Sequence, residues 1–279
     1  ALDLVETIGH PDLLPGLRER VEAWTDGPLG KRIVRAHDRP GFIANRIGIA
    51  TMLEFMRTAE RLRLTVVEAD AAAGAAIGRP RSGVFRLADR IGLDVLADLA
   101  DDLGRRLNEP DVFRLPDSAR ELRERGWLGD KTGHGYTKRE GKERFVYNPV
   151  TGAYLPQTAF PELPPVRAIS DLAAALKLPG AMGDLVRMAL PTTLRYADRV
   201  AADVAERPED VDVALRDGFG WRFGPLETLA AFEPSRPPVV RPVDPREVAV
   251  SEYREIARRG RAVARDGGTA TVLGWESKM

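Results

Sequence analysis

The sequence predicts a mainly α-helical chain, in which two related helical bodies follow the closing helix and strand of an α/β unit. Three observations carry this prediction. Long stretches repeat apolar residues at the spacing that places them on one helix face. The β-like runs are short and few. An Asp-x7-Gly pattern followed by a glycine turn also occurs twice: laying Asp70 on Asp212 brings Gly78 onto Gly220 and, after a one-residue gap, Gly83 onto Gly224. Duplication of one helical unit is the simplest account. The plainer alternative is that two unrelated helices each end in a glycine cap.

Leu13, Leu14, Leu17, Val21 and Trp24 give residues 11–25 a helical apolar face, and the β-like run Arg32 to Arg35 follows a Gly27-Pro28-Leu29-Gly30 turn. This is the expected tail of an α/β domain, over residues 1–37. Asp38 and Pro40 then announce a long helix whose face is traced by Ile43, Ile47, Met52, Phe55, Met56, Ala59 and Leu62, with Asn45 in its first turns. Thr65 and Glu68 have capping-box spacing, in which the two side chains satisfy each other's backbone N–H, and Gly78 with Pro80 closes that helix. Leu93, Leu96, Leu99, Leu103 and Leu107 mark another helix, and Ser118 with Glu121 repeats the capping device before a helix ending near Gly126. The first helical body is thus expected over 38–140.

From 136 to 156 the pattern changes to Tyr136, Phe145, Val146, Tyr147, Tyr154 and Leu155 around glycine turns, which predicts a small hairpin and a linker over 141–168. The second body is expected over 169–265. It contains a long segment, 183–207, that Pro191 should bend or divide. Pro234, Pro237, Pro238, Pro242 and Pro245 read as an extended linker, and a charged helix around 247–265 and a β-like run over 269–273 follow.

Composition narrows the functional classes. Forty-two basic and 42 acidic side chains cancel, which removes a whole-molecule electrostatic case for nucleic acid or an anionic membrane. There is no cysteine to supply a disulfide, a thiolate or a metal ligand, and only His10, His37 and His134 carry an imidazole. No His-Glu-x-x-His zinc pattern or phosphate loop is found, and the Gly218-Phe219-Gly220 run has the wrong spacing for a dinucleotide turn. No metal site is therefore expected, and no cofactor-binding residue is assigned within the chain. No run of apolar residues is long enough to span a bilayer, so a cytoplasmic location is the expectation. The opening on Ala1 inside an apolar segment and the stop at Met279 read as cuts through a longer polypeptide.

Three ordered blocks carry a family resemblance. They are Asp38 to Arg46 (Asp-Arg-Pro-Gly-Phe-Ile-Ala-Asn-Arg), Gly78 to Asp94, and Gly126 to Tyr136. Together they resemble the C-terminal helical domain of 3-hydroxyacyl-CoA dehydrogenases. The second half, with Asp210 to Gly220 and Gly224-Pro225-Leu226-Glu227, is similar to the repeated helical domain of that family's multifunctional members. Residues 266–279 resemble the start of a crotonase-like domain.

The resemblance implies two helical domains of the 6-phosphogluconate dehydrogenase C-terminal type behind a remnant of a Rossmann domain. It also implies NAD-dependent oxidation of 3-hydroxyacyl-CoA to 3-oxoacyl-CoA in fatty-acid β-oxidation. The NAD site would lie mostly outside this chain, and the protein would be a homodimer joined through its helical domains. Two catalytic residues are implied. Glu6 matches the carboxylate that fixes the tautomer of the family's general-base histidine, and Asn45 matches the asparagine that hydrogen-bonds the reacting oxygen. The histidine itself would precede Ala1, and neither His10 nor His37 fits its place in the motif. By itself the chain is therefore expected to be inactive.

Other residues have plainer readings. His134, Lys131 and Trp127 read as parts of a loop, and Arg79, Arg81 and Arg86 read as a solvated face in preference to contacts with CoA phosphates. Two other functions stay open: a non-catalytic helical scaffold, and a dehydrogenase of another β-hydroxy acid.

Overall fold

A computed structural model describes residues 3–159 and 172–233. The proline-rich linker, the charged helix after it and the final β-like run expected above lie outside the described residues. Strands β1 (Leu4–Ile8) and β2 (Arg32–Ala36) pair in parallel, with Glu6 opposite Val34, and helix α1 (Leu17–Asp26) joins them. A parallel pair cannot be closed by a tight turn, so the crossover helix is a requirement of the geometry. The apolar face expected on α1 is uncovered among the described residues: Leu14 is 72% exposed and Trp24 58%.

Helix α2 (Ala44–Arg61) is the centre of the molecule, with 14 of its 18 residues buried. One apolar face was legible in the sequence, but α2 is enclosed on further sides because α8 (Gly180–Val204) and α9 (Asp210–Phe219) pack against it. Gly48 makes that approach possible. A Cβ there would stand 2.2 Å from Cζ of Phe219, so the α9 ring lies directly on the α2 backbone. Pro191 does not divide α8, which runs unbroken through it.

Helices α3 (Val66–Ala73), α4 (Phe85–Ile91), α5 (Leu93–Arg106) and α6 (Asp117–Glu124) follow α2. The Thr65–Glu68 capping box is present in full. The Ser118–Glu121 box is not. Helix α6 starts behind Pro116, which leaves Ser118 inside its first turn, and its N-terminus is capped from a distance by Glu60, whose carboxylate accepts the N–H groups of Asp117 (3.1 Å) and Ser118 (3.0 Å). The Ser118 hydroxyl instead joins Glu60 to Tyr136.

The segment expected as a hairpin is a three-stranded antiparallel sheet, β3 (Thr137–Glu140), β4 (Glu143–Asn148) and β5 (Ala153–Pro156). It contributes to the helical core through buried Tyr136, Val146 and Tyr147, and the Tyr147 hydroxyl donates to Glu121 at 2.7 Å. Helices α7 (Leu172–Leu176) and α10 (Pro225–Phe232) pack on α8.

The two Asp-x7-Gly patterns do the same work. Asp70 on α3 accepts the N–H groups of Val84, Phe85 and Arg86 at 2.7–3.0 Å and so caps α4. Asp212 on α9 accepts those of Leu226 (2.7 Å) and Glu227 (3.1 Å) and caps α10. In both, the bonds reach 14 and 15 residues ahead. Gly83 and Gly224 lie against these carboxylates, and a Cβ at either would come within 2.4 Å of the aspartate's own atoms. Burial, opposed by the backbone N–H donors, pushes Asp70 up to about 7 and Asp212 to about 6.

Candidate active site at the start of helix α2

Helix α2 begins without a local cap: its N-cap residue is Ile43, whose side chain can accept nothing. The missing acceptor comes from β1. One carboxylate oxygen of Glu6 takes the N–H of Ile43 at 2.8 Å and the other takes that of Ala44 at 3.1 Å. The parallel pairing of β1 with β2 holds Glu6 at this point, and the partial positive charge of the helix N-terminus favours its ionised form. Burial nonetheless raises its pKa above the usual carboxylate value, against the lowering effect of the two N–H donors. Each oxygen keeps a second lone pair, so the carboxylate can still accept from an imidazole N–H.

Asn45 directly follows the second of these amides. Its side chain is exposed and has no hydrogen-bond partner among the described residues. Arg46, next in sequence, turns inward: it donates to the Tyr196 hydroxyl at 3.2 Å and to Asp203 at 2.7 Å, both on α8, and its guanidinium lies 3.8 Å from Glu109. The start of α2 is thus clamped on one side to β1 and on the other to α8. Between the clamps stands a half-buried carboxylate beside an accessible amide, a pair that can orient a general base and hydrogen-bond an oxygen bearing developing charge.

Glu6 is bonded to the amide just before Asn45, and the two nearby histidines have other partners. His10 Nδ1 accepts the N–H of Asp12 at 3.2 Å, and His37 stands 3.1 Å from the Asp203 carbonyl oxygen. His134 is exposed and stacks on Trp127, and Lys131 donates to Asp94 at 2.6 Å, which ties that loop to the start of α5. Asp89 holds the end of the same loop by accepting the N–H groups of Tyr136 (2.6 Å) and Thr137 (2.8 Å).

The three arginines divide. Arg86 pairs with Asp130, and Arg81 is exposed. Arg79 departs from the expected solvated face. Its guanidinium lies between the rings of Trp221 (4.1 Å) and Phe55 (4.8 Å), and burial pulls it down to about 9. Phe42 was overlooked in the sequence. It is a non-glycine residue at φ 47° with a 38% exposed ring, and the Gly41 beside it was the signal that the chain makes an unusual turn here.

Among the described residues no group of histidine, aspartate or glutamate could hold a metal ion, and no helix is long and apolar enough to cross a membrane.

Comparison with known proteins gives the site its context. Residues 41–139 match the family described as 3-hydroxyacyl-CoA dehydrogenase, C-terminal domain. That span includes Phe42 and Asn45 and excludes Glu6. A "Probable 3-hydroxyacyl-CoA dehydrogenase" of Bacillus subtilis (strain 168) is 33% identical over 239 residues, which are 83% of this chain and 30% of the relative. One of the same name from Deinococcus radiodurans is 36% identical over 143 residues, 51% of this chain and 41% of the relative. The chain therefore spans less than half the length of these curated relatives. In fold it is similar to the crystal structure of a 3-hydroxybutyryl-CoA dehydrogenase from Escherichia coli K12, with a TM-score of 0.60 at 19% identity, covering 83% of this chain and 61% of that one. Residues 41–139, with α2 at their head, thus belong to the 3-hydroxyacyl-CoA dehydrogenase C-terminal domain family.

Proposed function

We propose that the chain supplies the C-terminal side of the catalytic cleft of an NAD-dependent enzyme that oxidises 3-hydroxyacyl-CoA to 3-oxoacyl-CoA in fatty-acid β-oxidation, in the cytoplasm. The observation that supports this most is the convergence of Glu6 and Asn45. They arise from a strand and a helix far apart in sequence, and the carboxylate binds the two amides that precede the asparagine. Glu6 would orient an imidazole supplied from outside these residues and stabilise its protonated form, and Asn45 would hydrogen-bond the reacting oxygen. The residues present do not by themselves fit a dinucleotide: the chain has no Gly-x-Gly-x-x-Gly, and the β1–α1 connection offers no phosphate turn.

The parallel β1–α1–β2 unit and the exposed Leu14, just before α1, with Val21 and Trp24 on it support a further α/β layer over this face, as a Rossmann domain would provide. The matching Asp70 and Asp212 caps support descent of the two helical bodies by duplication. The same uncovered face is the observation that favours the second reading, a scaffold that joins copies of the chain. Acyl-CoA binding by the chain with its upstream segment separates the two readings, because both allow a dimer and only the first requires that affinity.

The catalytic test uses the chain together with its upstream segment. Asn45→Ala should lower kcat by about 10² to 10³ with little change in melting midpoint. Normal turnover by that variant would remove Asn45 from the mechanism.

A further inference from the structure

We infer that Phe42 is a specificity residue of the same site, its ring forming an apolar wall against which the acyl chain of the substrate lies while Asn45 holds the reacting oxygen. The inference rests on the function proposed above. Two observations point to it.

The first is conformational. Gly41 stands at φ 77° and Phe42 at φ 47°, two successive left-handed residues. A glycine or an asparagine would hold the second position with little strain, whereas a phenylalanine there is a steric outlier. Such a conformation persists only where its surroundings impose it. Here they do. The Phe42 N–H donates to the Arg39 carbonyl at 2.9 Å and the Arg46 N–H to that of Gly41 at 3.0 Å. Of the three intervening amides, those of Ile43 and Ala44 are held by Glu6, and the Arg46 side chain is anchored on α8.

The second observation is exposure. Phe42 stands outside the apolar core and stays 38% exposed, while Ile43 and Ala44 beside it are buried. Phe42 and Asn45 therefore flank the clamped pair of amides as an exposed apolar group and an exposed polar one with no hydrogen-bond partner among the described residues. A ligand that satisfies both carries an oxygen at the reacting carbon and hydrocarbon beyond it. That is the chemistry of a 3-hydroxyacyl chain.

The test uses the chain with its upstream segment, assayed on short-chain and long-chain 3-hydroxyacyl-CoA, with melting midpoints measured alongside. Phe42→Ala should raise KM for the long-chain substrate by about tenfold, the loss of one apolar side-chain contact, and change KM for the short-chain substrate by less than about twofold. Its midpoint should stay with that of the parent protein, and Phe42→Leu should restore most of the loss. A KM that rises equally for both substrates, or stays unchanged for both, overturns the assignment. So does a fall in midpoint with KM intact, which would make the ring a packing group. If the parent protein turns over no 3-hydroxyacyl-CoA at all, the proposed function fails and carries this inference with it. Activity in the parent with indifference at position 42 sinks the inference alone.

Discussion

Glu6→Gln is the perturbation that most directly separates what this carboxylate does for the fold from what it does for the reaction. In the native structure both oxygens accept an amide N–H, at 2.8 and 3.1 Å, from Ile43 and Ala44, which are both buried. The glutamine carbonyl can keep one of these bonds, but its amide nitrogen would turn a donor toward the other N–H. The loss is one hydrogen bond to a charged acceptor, about 1.5 to 3 kcal/mol, with a further contribution of about 0.3 to 1 kcal/mol from the helix dipole. Against this, the neutral amide is relieved of the desolvation that raises the pKa of Glu6. A net loss of about 2 kcal/mol should result, read as a fall in melting midpoint of about 4 to 8 °C for a chain of this size. Scanning calorimetry on the isolated chain measures it. In the protein carrying its upstream segment, assayed well below the lowered midpoint, the same substitution should reduce kcat by about 10² to 10⁴ by leaving the general base without its orienting partner. A midpoint unchanged to within about a degree would refute the capping argument. An unchanged kcat beside a lowered midpoint would confine Glu6 to the fold.

Two further outcomes follow from the same geometry. Asp70, which burial pushes up to about 7, holds its proton more tightly in the folded than in the unfolded chain. Stability should therefore fall as pH rises from about 4 to about 7, by roughly 4 kcal/mol, and level off above that range. Asp70→Asn cannot take up that proton and should flatten the slope in denaturant titrations across the range; an equal slope in both proteins would exclude Asp70 as its source. At Gly48, substitution by alanine adds about 1 kcal/mol of helix propensity but drives a Cβ into the Phe219 ring, where overpacking costs about 1 to 3 kcal/mol. Gly48→Ala should thus destabilise the chain, and adding Phe219→Leu should recover part of the loss; a more stable single variant would show that α9 moves freely away from α2.

Much of this protein follows from local sequence. Helical periodicity placed α1, α2 and α5, the Thr65–Glu68 box announced the start of α3, and the embedding of Asn45 in Asp38 to Arg46 marked the family before any coordinates. These signals act within one turn of helix or within one motif, and a single chain segment carries them whole.

What only the tertiary structure decided involves partners brought from elsewhere in the chain. Helix α6 looked self-capped by Ser118 and is capped by Glu60; α2, α4 and α10 likewise take their acceptors from Glu6, Asp70 and Asp212 on other elements. Arg79 read as a solvated charge and lies against two rings, one of them Trp221, far along the chain. A carboxylate can satisfy a helix N-terminus from any direction in space, so the spacing of residues along the chain carries no record of which one does so. The same reason explains the site. Asn45 was legible from its own neighbours, whereas its proximity to Glu6 exists only once β1 lies against the first turn of α2.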